Sequence, residues 1–323
     1  MSFSSDVKKE IGNLEVSITS YKAELYSIIR YKSNWMLSSD GLKLVIMTTL
    51  NVVARRIVFL FKKIYEVDVE IQSIKKQKLD YKTKYEIILA EHALEICKDL
   101  KVINPDKTIN EQIDYTLLKS DETKSALIRG LFLVQGSIND PATSNYHLEI
   151  ILDDASDFDI FNTILSYYGI NMKLIERRKG YVMYLKRSEQ IGDFLKFIGA
   201  DNSVFYFENQ RIMRDYNNSI NRVINCDIAN EEKMMRSAKR QLDDIEYLLK
   251  NKGLMQLSER IVNAINLRTT YPDYSLSDLS EESFDLVGKY ISKSGLSHCF
   301  NDIHRLVLEL KGIKSWKNCN ILI

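Results

Sequence analysis

Apolar residues recur along the chain in two registers. Helical spacing is clear in 22–33 and 123–136, in 51–66 and 155–168, and in 91–101 and 188–198. Period-two alternation marks strands at 42–48 and 146–152, at 68–74 with 82–89, and at 171–177 with 180–186, as in "HLEIIL" and "YVMYLK". The two sets describe one unit twice. A shift of 103 residues places Leu25 on Ile128, Ile29 on Phe132, Val45 on Leu148, Ile57 on Ile160, Tyr65 on Tyr168 and Ile71 on Leu174, without a gap. It also places Asn51 on Asp154, both residue types that favour a helix start.

The pattern predicts an α+β pseudo-twofold domain of two αββαββα-type repeats, each sheet covered on one side by helices. An all-α domain follows. The expected boundaries are a leader over 1–21, the double repeat over 22–205 (copies 22–103 and 123–200), a linker and long helix over 206–252, and the last domain over 253–323. Past residue 205 the chain is first polar and Asn-rich, then strongly helical from about 227 to 251, and Gly253 supplies a stop. Helices of the last domain start near Ser275 or Ser277 and after Gly288.

One stretch, "SALIRGLFLVQGSIN" (125–139), is apolar at helical spacing yet carries Gly130 and Gly136. Glycine weakens a helix interior by about 1 kcal/mol relative to alanine, so close approach of another backbone is the expected compensation. The equivalent positions of the first copy are Ser27 and Ser33, also small.

The segment "IRGLFLVQG" (128–136) resembles the signature helix of LAGLIDADG homing endonucleases. The resemblance implies two signature helices crossing at the domain centre, with Ser27, Ser33, Gly130 and Gly136 as packing positions. It also implies a metal-holding carboxylate next to last in each signature. Here those positions are Lys32 and Gln135. An ammonium repels a divalent cation and an amide replaces a carboxylate poorly, so no catalytic residue and no nuclease activity are expected.

Composition narrows the picture little. Basic and acidic side chains number 45 and 44, so an anionic partner must be met by a local patch. The exposed sheet face would carry Lys82, Lys84, Lys173, Arg177 and Lys186 against Asp68, Glu70, Glu86 and Glu149, a weak attractor for phosphate. From 286 to 323, six cations oppose only Asp302 and Glu309. No apolar run spans a bilayer and no secretory signal opens the chain, which predicts a cytoplasmic protein. Four scattered cysteines predict neither disulfides nor zinc, and His298, Cys299 and His304 lack tetrahedral spacing. The acidic run "LDDASDFD" (152–159) suits a helix start better than a calcium loop. No metal and no cofactor are expected.

Two short helices joined by a glycine-containing segment fit a helix-turn-helix at about 275–308, with 292–309 as recognition helix. A solvated basic tail accounts for the charge equally well. The order of "SFSSDVKKE", "IRGLFLVQGSIND", "YHLEI", "SEQIGDFLKFIGA", "NSINRVINCDIAN" and "ISKSGLSH" over nearly the whole chain resembles the bacterial WhiA family. That resemblance implies a degenerate homing-endonuclease domain joined to a helix-turn-helix, and a nucleoid-associated protein acting in transcription regulation, cell division and chromosome segregation. It places double-stranded DNA against Ser275, Lys289, Ser292, Lys293, Ser294, Gly295, Ser297, His298, Asn301 and Arg305. Where relatives commonly show a motif like "SKSGVNHRLRKI", this chain has "SKSGLSHCFNDI", so Cys299, Asn301 and Asp302 replace basic residues. Weakened DNA contact, or a protein partner in the division or transcription apparatus, is the alternative.

Overall fold

The computed structural model describes residues 2–38, 41–74, 83–104, 106, 108, 110, 113–143, 145–178, 180–254 and 257–312. Lys82, named above, lies outside the described residues, as do Lys314, Trp316, Lys317 and Cys319. The chain divides into two compact units, residues 1–216 and 217–323.

The first unit opens with α1 (Phe3–Ile11), where a leader was expected. Phe3, Val7 and Ile11, spaced four apart, are buried in the main core. The charges between them hide this stripe in a simple composition count. The first copy continues with α2 (Ile18–Lys32), β1 (Ser33–Ser38), β2 (Gly41–Thr48), α3 (Asn51–Tyr65), β3 (Glu70–Ile74), β4 (Lys84–Leu89) and α4 (Ala93–Asp99). After a short 3-10 turn the second copy repeats the order: α5 (Asp121–Gln135), β5 (Gly136–Ile138), β6 (Leu148–Leu152), α6 (Ser156–Ser166), β7 (Lys173–Arg177), β8 (Gly180–Leu185) and α7 (Ser188–Phe197). Strands β1 and β5, for which no span was assigned from the pattern, complete each sheet by leaving the end of α2 or α5 directly.

Both sheets are antiparallel, ordered β1-β2-β4-β3 and β5-β6-β8-β7. Ser17 and Ser120, again 103 apart, cap α2 and α5 by accepting the Ser20 and Thr123 amides. The 103-residue offset carries β3 onto β7 and then fails. The chain between β3 and β4 is longer than that between β7 and β8, so β4 and β8 fall out of the shared register. Asn51 does not cap α3: Leu50 holds the cap position with no side-chain bond. Asp154 does accept the Ser156 amide at 2.8 Å.

Leu44, Ile46, Ile87 and Leu89 of one sheet, with Leu148, Ile150, Met183 and Leu185 of the other, enter the core. The opposite faces follow from the register. Glu70 pairs with Ile88 and Gln72 with Glu86, while Lys173 pairs with Tyr184 and Ile175 with Val182.

Between Gly199 and Gly253 the chain has neither glycine nor proline. It forms one 52-residue helix, α8 (Asp201–Lys252), where a linker over 206–226 was expected. Polar composition lowers helix propensity only slightly when no breaker is present. In the second unit the end of α8 packs with α9 (Glu259–Thr270), α10 (Leu276–Glu281), α11 (Ser283–Val287) and α12 (Lys293–Leu310) around Leu248, Ile265, Leu279, Leu296, Phe300 and Ile303.

Candidate nucleic-acid interface

The turn before α12 is built by serines. Gly288, at φ +69°, ends α11 in the left-handed region. The Ser283 hydroxyl accepts the Ile291 amide at 2.9 Å, and Ser280 Oγ donates to the Ile291 carbonyl at 2.7 Å. Ser275 caps α10 reciprocally with Asp278, so its hydroxyl is engaged in the fold. Ser292 caps α12, accepting the Gly295 amide at 3.2 Å. Leu296, Cys299, Phe300, Ile303 and Val307 form the buried face of α12. Lys293, Ser294, His298, Asn301 and Arg305 are exposed, Gly295 and Ser297 are half-buried beside them, and Lys289 is exposed in the turn. The hydroxyl, imidazole, amide and cationic groups therefore share one stripe.

Asp302 is engaged by two arginines beside this stripe. It is half-buried and holds Arg260 at 2.8 Å and Arg305 at 3.0 Å. One carboxylate thus offsets one of the two arginine charges beside the stripe. His304 Nδ1 lies 2.7 Å from Asp244 of α8, which fixes the far end of α12. The buried Arg268 donates to the carbonyls of Tyr271, Pro272 and Tyr274, bracing the segment ahead of α10. Burial raises the pKa of the Cys299 thiol, so it stays protonated.

In the first unit α2 and α5 cross at the domain centre. A Cβ on Gly130 would stand 2.4 Å from the Glu24 carbonyl oxygen, and Ser27 Oγ donates to the Leu127 carbonyl at 2.7 Å. These two small residues lie between the helices. Ser33 and Gly136 do not: Ser33 Oγ donates within its own helix end to Ile29, and a Cβ on Gly136 would meet the Phe132 ring. Both sit where the chain has already turned into β1 and β5, past the closest approach.

Sequence pattern did not reveal the charges buried near the crossing. Glu24, fully buried, takes both Arg56 at 2.7 and 2.9 Å and Arg129 at 3.2 Å. Only a polar residue at an apolar helical position hinted at it.

At the ends of the crossing helices, Gln135 Nε2 donates to the Tyr31 carbonyl at 2.9 Å. Lys32 and Gln135 line one cavity of about 490 Å³ together with Lys8, Arg30, Lys84 and Asp153. Burial, reinforced by the Lys32 charge, lowers the Lys8 pKa from 10.5 to about 8. Among the described residues, no group of three His, Cys, Asp or Glu side chains is placed to hold a metal, and no helix is long and apolar enough to cross a membrane.

The outer sheet faces are mixed. Lys84, Glu86 and Glu70 accompany Val45 and Ile88 on one, and Arg177 is paired with Glu149 at 3.2 Å on the other, beside Ile151 and Val182. Lys186 lies over the Tyr184 ring and Lys62 pairs with Asp68; of the four described saddle cations, Lys84, Lys173, Arg177 and Lys186, Arg177 is the one with an ion pair.

Three family models match the chain: WhiA N-terminal LAGLIDADG-like domain over residues 19–103, WhiA LAGLIDADG-like domain over 124–217, and WhiA C-terminal HTH domain over 220–307. A Bacillus cereus (strain B4264) protein described as "Probable cell division protein WhiA" is 38% identical over 311 residues, covering 96% of this chain and 98% of its own. The chain belongs to the WhiA family. A Bacillus anthracis (strain CDC 684 / NRRL 3495) WhiA matches to the same extent. The crystal structure of full-length DUF199/WhiA from Thermatoga maritima shares the fold with a TM-score of 0.58 at 24% identity, covering 96% of this chain and 99% of that one. The WhiA helix-turn-helix match contains nearly all of α12, whereas the N-terminal WhiA match begins at residue 19 and leaves out α1 with its Lys8.

Proposed function

We propose that this protein is a non-catalytic, DNA-binding regulator of cell division whose duplex contact is made by α12. The observation that carries the reading is the exposed stripe from Lys293 through Ser294, His298 and Asn301 to Arg305, opposite a fully packed apolar face, within a matched WhiA helix-turn-helix domain. The relatives' description as cell division proteins supports the cellular role. In this reading α12 enters the major groove. Hydroxyl, imidazole and amide groups meet base edges, while Lys289, Lys293 and Arg305 meet phosphates. Transcription regulation, chromosome segregation and a place on the nucleoid follow as parts of the same proposal. So do a degenerate endonuclease-like scaffold in the first unit, a DNA-binding end in the second, and a cytoplasmic location.

The test is a gel-shift titration of the full chain on duplex DNA at two salt concentrations. Replacing Lys289 and Lys293 by alanine together should weaken binding about tenfold at low salt and lower the salt slope by up to two. Unchanged affinity and slope would move the contact away from α12. Genome-wide crosslinking then reads the target sites.

A second reading has its own support. The outer sheet faces expose Met47, Ile151 and Ile175 among balanced charges, a composition suited to a protein of the division or transcription apparatus. Binding that is flat with salt, and lost on Ile151→Asp, would favour it.

A further inference from the structure

The cavity at the ends of α2 and α5 has a feature that neither DNA contact by α12 nor packing explains. Lys8 is only 7% exposed, its ammonium lies 5.7 Å from the Phe132 ring centroid, and among the described residues it has no carboxylate or carbonyl partner. Lys32 and Lys84 line the same space and also lack an ion pair among the described residues. Arg30 faces it as well, with its guanidinium tied to the Asn110 carbonyl at 2.6 Å and to Asp157 at 3.5 Å. Asp153 is the one carboxylate in the described lining. Holding a largely buried ammonium against no more than an aromatic ring is costly, and gathering further like charges around it adds to the cost. An anion in the cavity removes both costs together.

We propose that this cavity is a binding site for a small phosphorylated anion, of the inorganic or nucleoside polyphosphate class, held by Lys8, Lys32 and Lys84. Lys32 and Lys84, half-buried in the lining, add two point charges, and the Gln135 amide, which donates to the Tyr31 carbonyl, joins the helix ends. A volume of about 490 Å³ is in the range of small-molecule sites. The depth of Lys8 favours a terminal phosphoryl group over the backbone of a duplex, which rides on a surface. The position is where a related nuclease would hold a cation, so the site has reversed its charge preference. Occupation draws the lowered pKa of Lys8 upward, because an anion favours the protonated ammonium. Binding above about pH 8 therefore takes up protons, with Arg30, Tyr31, Lys32, Lys84 and Asp153 as the charged or titratable groups facing Lys8.

The experiment is calorimetric titration of the full chain with inorganic pyrophosphate in low-salt buffer. Saturable one-to-one binding is expected, weakened at least tenfold in Lys8→Met and in Lys32→Gln, both checked for unchanged circular dichroism. At pH 8.5 the protons taken up per bound anion, read from heats in buffers of different ionisation enthalpy, should be greater in the intact protein than in Lys8→Met. Absence of saturable heat, or equal affinity in both variants, overturns the proposal. Loss of duplex affinity in Lys8→Met, without any pyrophosphate binding, overturns it too and assigns the lysines to a nucleic-acid backbone.

Discussion

Gln135 donates through Nε2 to the carbonyl oxygen of Tyr31 at 2.9 Å, joining the C-terminal ends of the two central helices. The Gln135 amide thus acts as an interhelical clasp. Replacing Gln135 by leucine leaves the Tyr31 carbonyl without this donor and should cost about 1 kcal/mol in urea unfolding. With Gln135 engaged and Lys32 opposing a cation, plasmid DNA incubated with the protein and magnesium should remain uncut.

Gly130 has no space for a side chain. Its added Cβ would press on the Glu24 carbonyl of the facing helix, and backbone cannot rotate away as a side-chain tip can. Gly130→Ala should destabilise the first unit by about 2 kcal/mol, despite alanine's better helix propensity. A gain in Tm would show that α2 and α5 separate easily.

Glu24 is the only carboxylate joining Arg56 of α3 to Arg129 of α5 among the described ion pairs. Removing it leaves two buried guanidinium groups, so Glu24→Ala should cost about 3–5 kcal/mol. Chemical denaturation measures this directly, and a loss under 1 kcal/mol would mean water reaches the arginines.

Lys8 has the opposite sign. Its pKa is about 8 in the folded chain against 10.5 ordinarily, so between these values the unfolded chain binds more protons and stability rises with pH. Below about pH 8 the penalty is fully present. Lys8→Met should therefore be more stable than the parent protein by about 2 kcal/mol at pH 7, with the gain shrinking toward zero by about pH 10.5. Thermal melts across this range check both the sign and the window.

Asp302 restrains two arginines beside the exposed stripe of α12. Both pairs are partly exposed, so Asp302→Ala should change stability by less than about 1 kcal/mol. It should nevertheless strengthen duplex binding several-fold at low salt and steepen the salt dependence, because Arg260 and Arg305 are released. Gel shifts at two ionic strengths separate this from a merely structural effect.

Much of the scaffold was legible because its signals are local. The repeat, the central helices and the buried face of α12 all follow from spacing within a few turns, and β3 and β7 keep the 103-residue offset. Strands β1 and β5 were less visible because each begins at the last turn of a helix, where one periodicity gives way to the other. At α1 and over 206–226 the charged composition masked helices whose stripe or lack of breakers was sufficient. For the interface, exposure of Lys293, His298 and Arg305 could be anticipated from the helical wheel, but the pairing of Asp302 with Arg260 could not, since 42 residues separate them.

By itself the sequence determined a duplicated α+β scaffold, its two small-residue helices without metal-holding carboxylates, and a helical end with cationic groups on one side. Those properties depend on the order of neighbouring residues. Only the tertiary structure decided that Gly130 and Ser27 meet while Gly136 and Ser33 turn away, and that Lys8 comes to rest beside Lys32. Such outcomes depend on which distant surfaces come together, where packing and desolvation act between residues that no local period connects.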